Sequence, residues 1–168
     1  MFVAFDSLPG SARLWIYQAD RVLTADEKER LGIDLRRFCE QWEAHGQPLK
    51  TSFTLQHDRF VILAVDVDYG DASGCSIDGS VRILKAIQQE NGIDFFNRNH
   101  VAFLQGHEVH TYPISNLKNL FAEGILNSKS QLVNTLVTNR GGFDREWIVK
   151  AEDSWLKKYL PKTAVAGS

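Results

Sequence analysis

Residues 59–66, Arg59-Phe60-Val61-Ile62-Leu63-Ala64-Val65-Asp66, are the stretch on which the fold turns. The six apolar residues between charged ends are too short for a helix and lack the alternation of a half-solvated strand, so they read as a central strand with both faces covered. Upstream, Lys50 to Gln56 reads as a partner strand joined to it around His57-Asp58, with strand 59–66 taken to end at Asp66. Further back, Arg13-Leu14-Trp15-Ile16-Tyr17-Gln18, aromatic and β-branched and bounded by turn formers, reads as the first strand. Between them the period changes. Thr24-Ala25-Asp26-Glu27 fits a capping box, and Leu31, Leu35, Phe38, Cys39 and Trp42 fall on one helical stripe, predicting a helix over 25–45 stopped by Gly46.

Downstream of the central strand, Asp66 to Asp78 reads as a loop of small and acidic residues. It leads into a helix with Ile77, Val81, Leu84 and Ile87 on its stripe, ending near Asn91-Gly92. His100–Leu104 and Glu108–Tyr112 read as a hairpin closed around Gln105-Gly106-His107. Pro113 opens a short helix through Leu117, Leu120 and Phe121, closed by Gly124. Residues 125–142 are ambiguous: Ser128-Lys129-Ser130-Gln131 matches a capping box, yet Leu132 to Thr138 is β-branched, and Asn139-Arg140-Gly141-Gly142 reads as a turn. From Asp144 on, Ile148, Ala151, Trp155 and Tyr159 predict a terminal helix broken at Pro161. The order predicts a single α+β domain over 1–168: one mostly antiparallel sheet of about five strands, helices on one face, and a first six elements in ferredoxin-like order. Residues 1–12 read as a flexible lead-in and 162–168 as a flexible tail.

Composition excludes several function classes. With 168 residues, 43% of them hydrophobic, the chain can bury a core without disulfides or a structural metal. Nineteen basic and 21 acidic side chains leave a net charge of −2, without the cationic footprint of a nucleic-acid binder or a polybasic membrane docker. No apolar run is long enough to cross a bilayer, so no membrane insertion is expected. Met1 to Asp6 has no signal-peptide pattern, and Cys39 and Cys75 show no C-x-x-C spacing. Two free thiols in a cytoplasmic protein are the expectation.

The candidate site is Ala72-Ser73-Gly74-Cys75-Ser76-Ile77-Asp78. Residues just before a helix face its unpaired amides and the positive end of its dipole. Three readings follow. Ser73, Gly74, Cys75 and Ser76, with Ser80, hold a small anionic ligand, and Tyr17 and Arg21 line the rim. Alternatively, Cys75 is the catalytic nucleophile of a cysteine-dependent enzyme, its thiolate favoured by the helix start and a histidine such as His107 or His110 serving as base. In the simplest reading Ser76 or Asp78 caps the helix, Gly74 makes the turn and Cys75 is a small buried hydrophobe. A further alternative makes the chain a homodimeric interaction module using a sheet edge or a Trp-lined patch.

Asp66, Asp68 and Asp71 begin like a calcium loop, but Asp71 stands where glycine is needed and Ile77 where glutamate is needed, so an acidic turn is preferred. His107 and His110, three apart on a hairpin, diverge, and no metal site is assigned. His45 is expected to favour the end of the first long helix. No cofactor motif is present: the sequence lacks G-x-x-x-x-G-K-[ST], G-x-G-x-x-G, G-x-S-x-G and H-E-x-x-H, which excludes nucleotide hydrolysis through a P-loop.

Four segments together, Leu14-Trp15-Ile16-Tyr17-Gln18, Phe38-Cys39-Glu40-Gln41-Trp42 with His45-Gly46, Ala72 to Asp78, and Ile93-Asp94-Phe95-Phe96-Asn97-Arg98, resemble a small family of uncharacterised bacterial proteins. Members of that family often carry the automatic label "ABC transporter ATPase". The likeness runs from about Arg13 to Leu160 and is most distinctive around Cys75. The resemblance carries no known activity with it, and the label conflicts with this sequence, which lacks the Walker A loop and glycine-rich signature of an ABC ATPase; what remains of the label is an accessory partner of a transporter.

Overall fold

The computed structural model describes residues 1–70, 72 and 77–161. Its fold is α+β, and the chain forms two compact units, Met1–Asn97 with Leu136–Asp144, and Arg98–Thr135 with the described residues from Arg145 on.

In the first unit, β1 (Arg13–Gln18) and β4 (Thr51–Gln56) flank β5 (Phe60–Val65), all antiparallel, in the order β1-β5-β4. The register sets Trp15 opposite Leu63 and Tyr17 opposite Val61, with Phe53 and Leu55 on the other side of the same residues. All six residues of β5 are fully buried, as the unbroken apolar run demands. The face carrying Trp15, Tyr17, Phe53, Leu55, Val61, Leu63 and Val65 packs under α1 (Ala25–Gln41) and α2 (Asp78–Asn91), whose Leu31, Leu35, Cys39, Leu84 and Ile87 complete the core. The three-residue β4–β5 turn, His57 to Arg59 between the paired Gln56 and Phe60, places His57 and Asp58 both at positive φ, and Lys28 of α1 reaches the Asp58 carboxylate at 2.9 Å.

The lead-in is held at several points. Phe2 bridges to Thr51, Leu8 and Ala12 are buried, and the Arg140 guanidinium donates to the Leu8 carbonyl.

The second unit is a four-stranded antiparallel sheet, β7-β6-β8-β9, made of β6 (His100–Gln105), β7 (Glu108–Pro113), β8 (Gln131–Val133) and β9 (Ile148–Lys150). Val101, Phe103, Leu132, Tyr112 and Val149 share one face and pack with Leu117 and Phe121 of α3 (Leu117–Ala122) and with Leu156 and Tyr159.

Several expectations are corrected. The strands form not one sheet but three among the described residues, because β6 pairs with β7 and β8 and not with β1, β4 or β5, so no ferredoxin-like sheet forms. The helix expected over 25–45 stops at Gln41, and Trp42 is already extended. Gly46 is instead the second residue of a two-residue turn, with His45 before it at φ 53°, between β2 (Glu43–Ala44) and β3 (Gln47–Pro48). His45 therefore caps no helix. The β-branched character of 132–138 prevails over the capping box, giving β8, and the Ser130 hydroxyl accepts from the Asn127 amide instead. The expected terminal helix is α4 (Arg140–Glu146), then β9, then 3-10 turns at Ala151–Asp153 and Trp155–Tyr159. Of the expected stripe Ala151 is buried, Ile148 and Tyr159 are half-buried and Trp155 is exposed, while Leu156, off the stripe, is buried from a short irregular turn.

Two predictions follow from the α-layer. The capping box at α1 is present as expected, and Glu27 also takes two 2.8 Å bonds from the Arg21 guanidinium. Arg21 and the Thr24 amide hold the Glu27 carboxyl at about 2, against the opposing effect of its burial. A depressed folded pKa contributes stability in full above the ordinary value of 4.5 and loses it as pH falls towards 2. In urea unfolding from neutral pH down to about pH 2.5, Glu27→Gln should flatten that part of the profile, and Thr24→Ala should cost about 1 kcal/mol at neutral pH. A Glu27→Gln profile parallel to wild type would remove Glu27 from the account.

The second concerns Gly79, where an added Cβ would sit 2.5 and 2.9 Å from two ring carbons of Phe38. Gly79→Ala should lower stability by about 1–2 kcal/mol despite the better helix propensity of alanine. Phe38→Leu in the same chain should recover part of the loss; a Gly79→Ala chain more stable than wild type would contradict this packing.

Candidate functional site

Ser73, Gly74, Cys75 and Ser76, the centre of the sequence-based site, lie outside the described residues, as does Asp71. The residues on either side are described. Asp66 is 7% exposed and its Oδ1 accepts from the Asp68 amide at 3.0 Å, while Asp68 accepts from the Ser11 hydroxyl. The Asp66 carboxylate makes a local turn bond, as the acidic-turn reading expects, whereas the Asp68 carboxylate is taken up by a residue distant in sequence. Among the described residues no group of three His, Cys, Asp or Glu side chains is placed to hold a metal. His107 stands in the β6–β7 turn and His110 lies 3.4 Å from Glu108.

At the other side, the N-cap of α2 is Ile77, whose side chain offers the helix no hydrogen bond, and Asp78 is the first helical residue and not its cap. The Ser80 hydroxyl is turned back to the Ile77 carbonyl at 2.6 Å. The cap residue therefore satisfies none of the first-turn amides.

Tyr17 and Arg21 do not share this end of the helix. Tyr17 is buried and meets Phe96 edge-on at 5.9 Å, and Lys85, half-way along α2, lies over the same ring. Arg21 is tied to Glu27 and donates to the Asn91 carbonyl at 2.9 Å, so it covers the carboxyl end of α2. Asp78 and Asn91 are about 20 Å apart along a helix of that length. Arg21 and the α2 N-terminus thus belong to different places.

What stands near the α2 start is an aromatic cluster at the opposite end of β1. Phe38 touches Gly79 and lies 4.7 Å from Trp42, Trp42 lies 5.5 Å from Trp15, and the Arg13 guanidinium sits 4.5 Å over Trp15. Absence of a Cβ at Gly79 lets the Phe38 ring approach the first turn this closely. Trp42 is held by its backbone, donating to Cys39 and accepting from Leu49. It is 4% exposed, and its indole Nε1 has no hydrogen-bond acceptor among the described residues. A buried indole N–H ordinarily finds a partner. Arg13 forms no ion pair among the described residues and stays exposed. The sequence places Trp15 on the first strand and Trp42 on the stripe of the first long helix, but which end of β1 meets the start of α2 is a tertiary matter.

Cys39, one turn before Trp42, is fully buried, and that burial pushes its thiol up to about 12. It has none of the thiolate character a nucleophile needs.

The second unit holds a feature no sequence reading could reach: an open groove of about 890 Å³ formed by residues 121–128 and 152–161. Phe121 and Leu126, nearly fully buried, form its floor. Its two sides come from segments some thirty residues apart, one of them read from sequence as continuous helix.

Among the described residues no helix is long and apolar enough to cross a membrane. No protein-family model matches the chain, and comparison with curated proteins and with solved structures returns no match.

Proposed function

We propose that the chain is a binding protein for a small anionic ligand, with its site at the start of α2, where the 66–78 loop enters the helix. The observation that carries this reading is the buried Trp42 Nε1–H, without an acceptor among the described residues and joined through Phe38 to the first turn of α2. An unsatisfied buried donor costs on the order of 1–3 kcal/mol, which an incoming oxygen acceptor relieves. A phosphate or carboxylate there also meets the positive end of the helix dipole. Arg13 supplies the neutralising cation, in the role the sequence had given to Arg21. Ser73, Gly74, Cys75 and Ser76 contribute main-chain amides and hydroxyls in this reading, and the Cys75 sulfur itself is dispensable.

Titration with inorganic phosphate, read by intrinsic tryptophan fluorescence at constant ionic strength, tests the reading. Saturable quenching or enhancement is expected. Arg13→Ala should weaken it by about tenfold. Trp42→Phe, which keeps the ring and removes the donor, should weaken it several-fold when followed by calorimetry, while Arg21→Ala should change it little. A chain in which neither phosphate nor acetate produces a saturable signal, or in which Arg13→Ala binds as wild type does, would refute the site.

Alkylation by iodoacetamide separates this from the cysteine-enzyme alternative. In the folded chain at neutral pH, Cys39 should stay protected and Cys75 should react no faster than a model thiol, with Cys75→Ser leaving the phosphate titration intact. A Cys75 alkylated orders of magnitude faster would favour the nucleophile instead.

A further inference from the structure

The groove of the second unit has a charge pattern of its own. Phe121 and Leu126 are 2% and 1% exposed, and with Leu160 they make an apolar floor. Above it stand three carboxylates, Glu123, Glu152 and Asp153, and one ammonium, Lys157. Glu152 is taken up by Lys129 at 2.7 Å, which lowers its pKa. Glu123 and Asp153 have no ion-pair partner among the described residues. The carboxyl end of α3, where Glu123 and Gly124 close the helix, adds partial charge of the same sign. An apolar floor beside Glu123 and Asp153, the latter within the field of Lys129 but in no ion pair among the described residues, complements a chain segment that offers an apolar side chain with cations on either side. At about 890 Å³, and open rather than enclosed, the groove suits a length of polypeptide better than a buried small molecule.

We infer that this groove docks a short basic segment of a partner protein, an apolar anchor resting on Phe121 and Leu126 and flanking Lys or Arg side chains meeting Glu123 and Asp153. The inference is independent of the anion site, since no residue is shared. The chain's own residues 162–168 follow Pro161 directly but carry a single cation, Lys162, so they are a poorer fit.

The test uses the full chain and a fluorescein-labelled heptapeptide of alternating Leu and Arg, followed by fluorescence anisotropy at low and physiological salt. Saturable binding that weakens with salt is expected. Glu123→Gln combined with Asp153→Asn should weaken it about tenfold, and Lys157→Gln should tighten it severalfold. Heptapeptides alternating Ser with Arg, or Leu with Glu, should bind at least about tenfold more weakly, the first for want of an anchor and the second for its charge. Because both carboxylates are exposed, the double variant should keep the unfolding midpoint of wild type; should it not, the gain at Lys157→Gln decides. Equal binding of the Ser–Arg peptide, or Leu–Arg binding untouched by all three substitutions, would overturn the inference. So would a large gain in affinity on deleting residues 162–168, which would make that segment the occupant.

Discussion

Burial of β5 on both faces is the constraint on which the first unit depends. Each of its large apolar side chains contributes on the order of 1.5–3 kcal/mol only if both faces are covered, and neither could be supplied by local structure. On one face the coverage comes from α1 and α2, so the stripes of those helices, the capping box at Thr24 and the close approach at Gly79 all serve one requirement: holding two helices flat over Val61, Leu63 and Val65. The Arg30–Glu90 and Lys28–Asp58 pairs join the same elements at their exposed edges, where they add little beyond registration.

Laying α2 across this sheet gives its two ends opposite surroundings. At the carboxyl end, Arg21 reaches from beyond β1 to the last helical carbonyl and closes a network with Glu27 and Thr24, leaving it electrostatically complete. At the amino end stand an apolar cap residue, an aromatic cluster and a buried indole donor without an acceptor among the described residues, with Asp78 the acidic side chain of the first turn. The direction of β1 along α2 determines which arginine stands at which end, and that direction follows from how β1 adds antiparallel to β5.

Unit two shows a different division of labour. Its sheet is assembled from strands far apart in the chain, with β8 and β9 only three residues each, and its core is closed from irregular turns at Ala151 and Leu156. Such turns leave a groove between α3 and the C-terminal segment, where a continuous helix over 144–159 would have packed its stripe against the sheet. An apolar floor under unpaired carboxylates is the outcome.

Local chemistry made β1, β4, β5, α2, the β6–β7 hairpin and the capping box at Thr24 legible from the sequence, because each depends on spacing between neighbours: a period near 3.6, an unbroken apolar run, a turn residue able to take positive φ. The end of α1 at Gln41, the strand at 131–133 and the break-up of the last predicted helix were not legible, since there long-range pairing prevailed over local preference. Sequence reading set Arg21 beside the start of α2, but residues 13 and 21 flank the same strand and nothing local tells them apart; packing places Arg21 on the Asn91 carbonyl at the other end of that helix. Which cation and which indole stand together was decided only when α2 was laid across the sheet, and the groove of the second unit only when the last segment folded onto α3, because proximity between distant residues is a property of the packed chain and has no counterpart in their order along it.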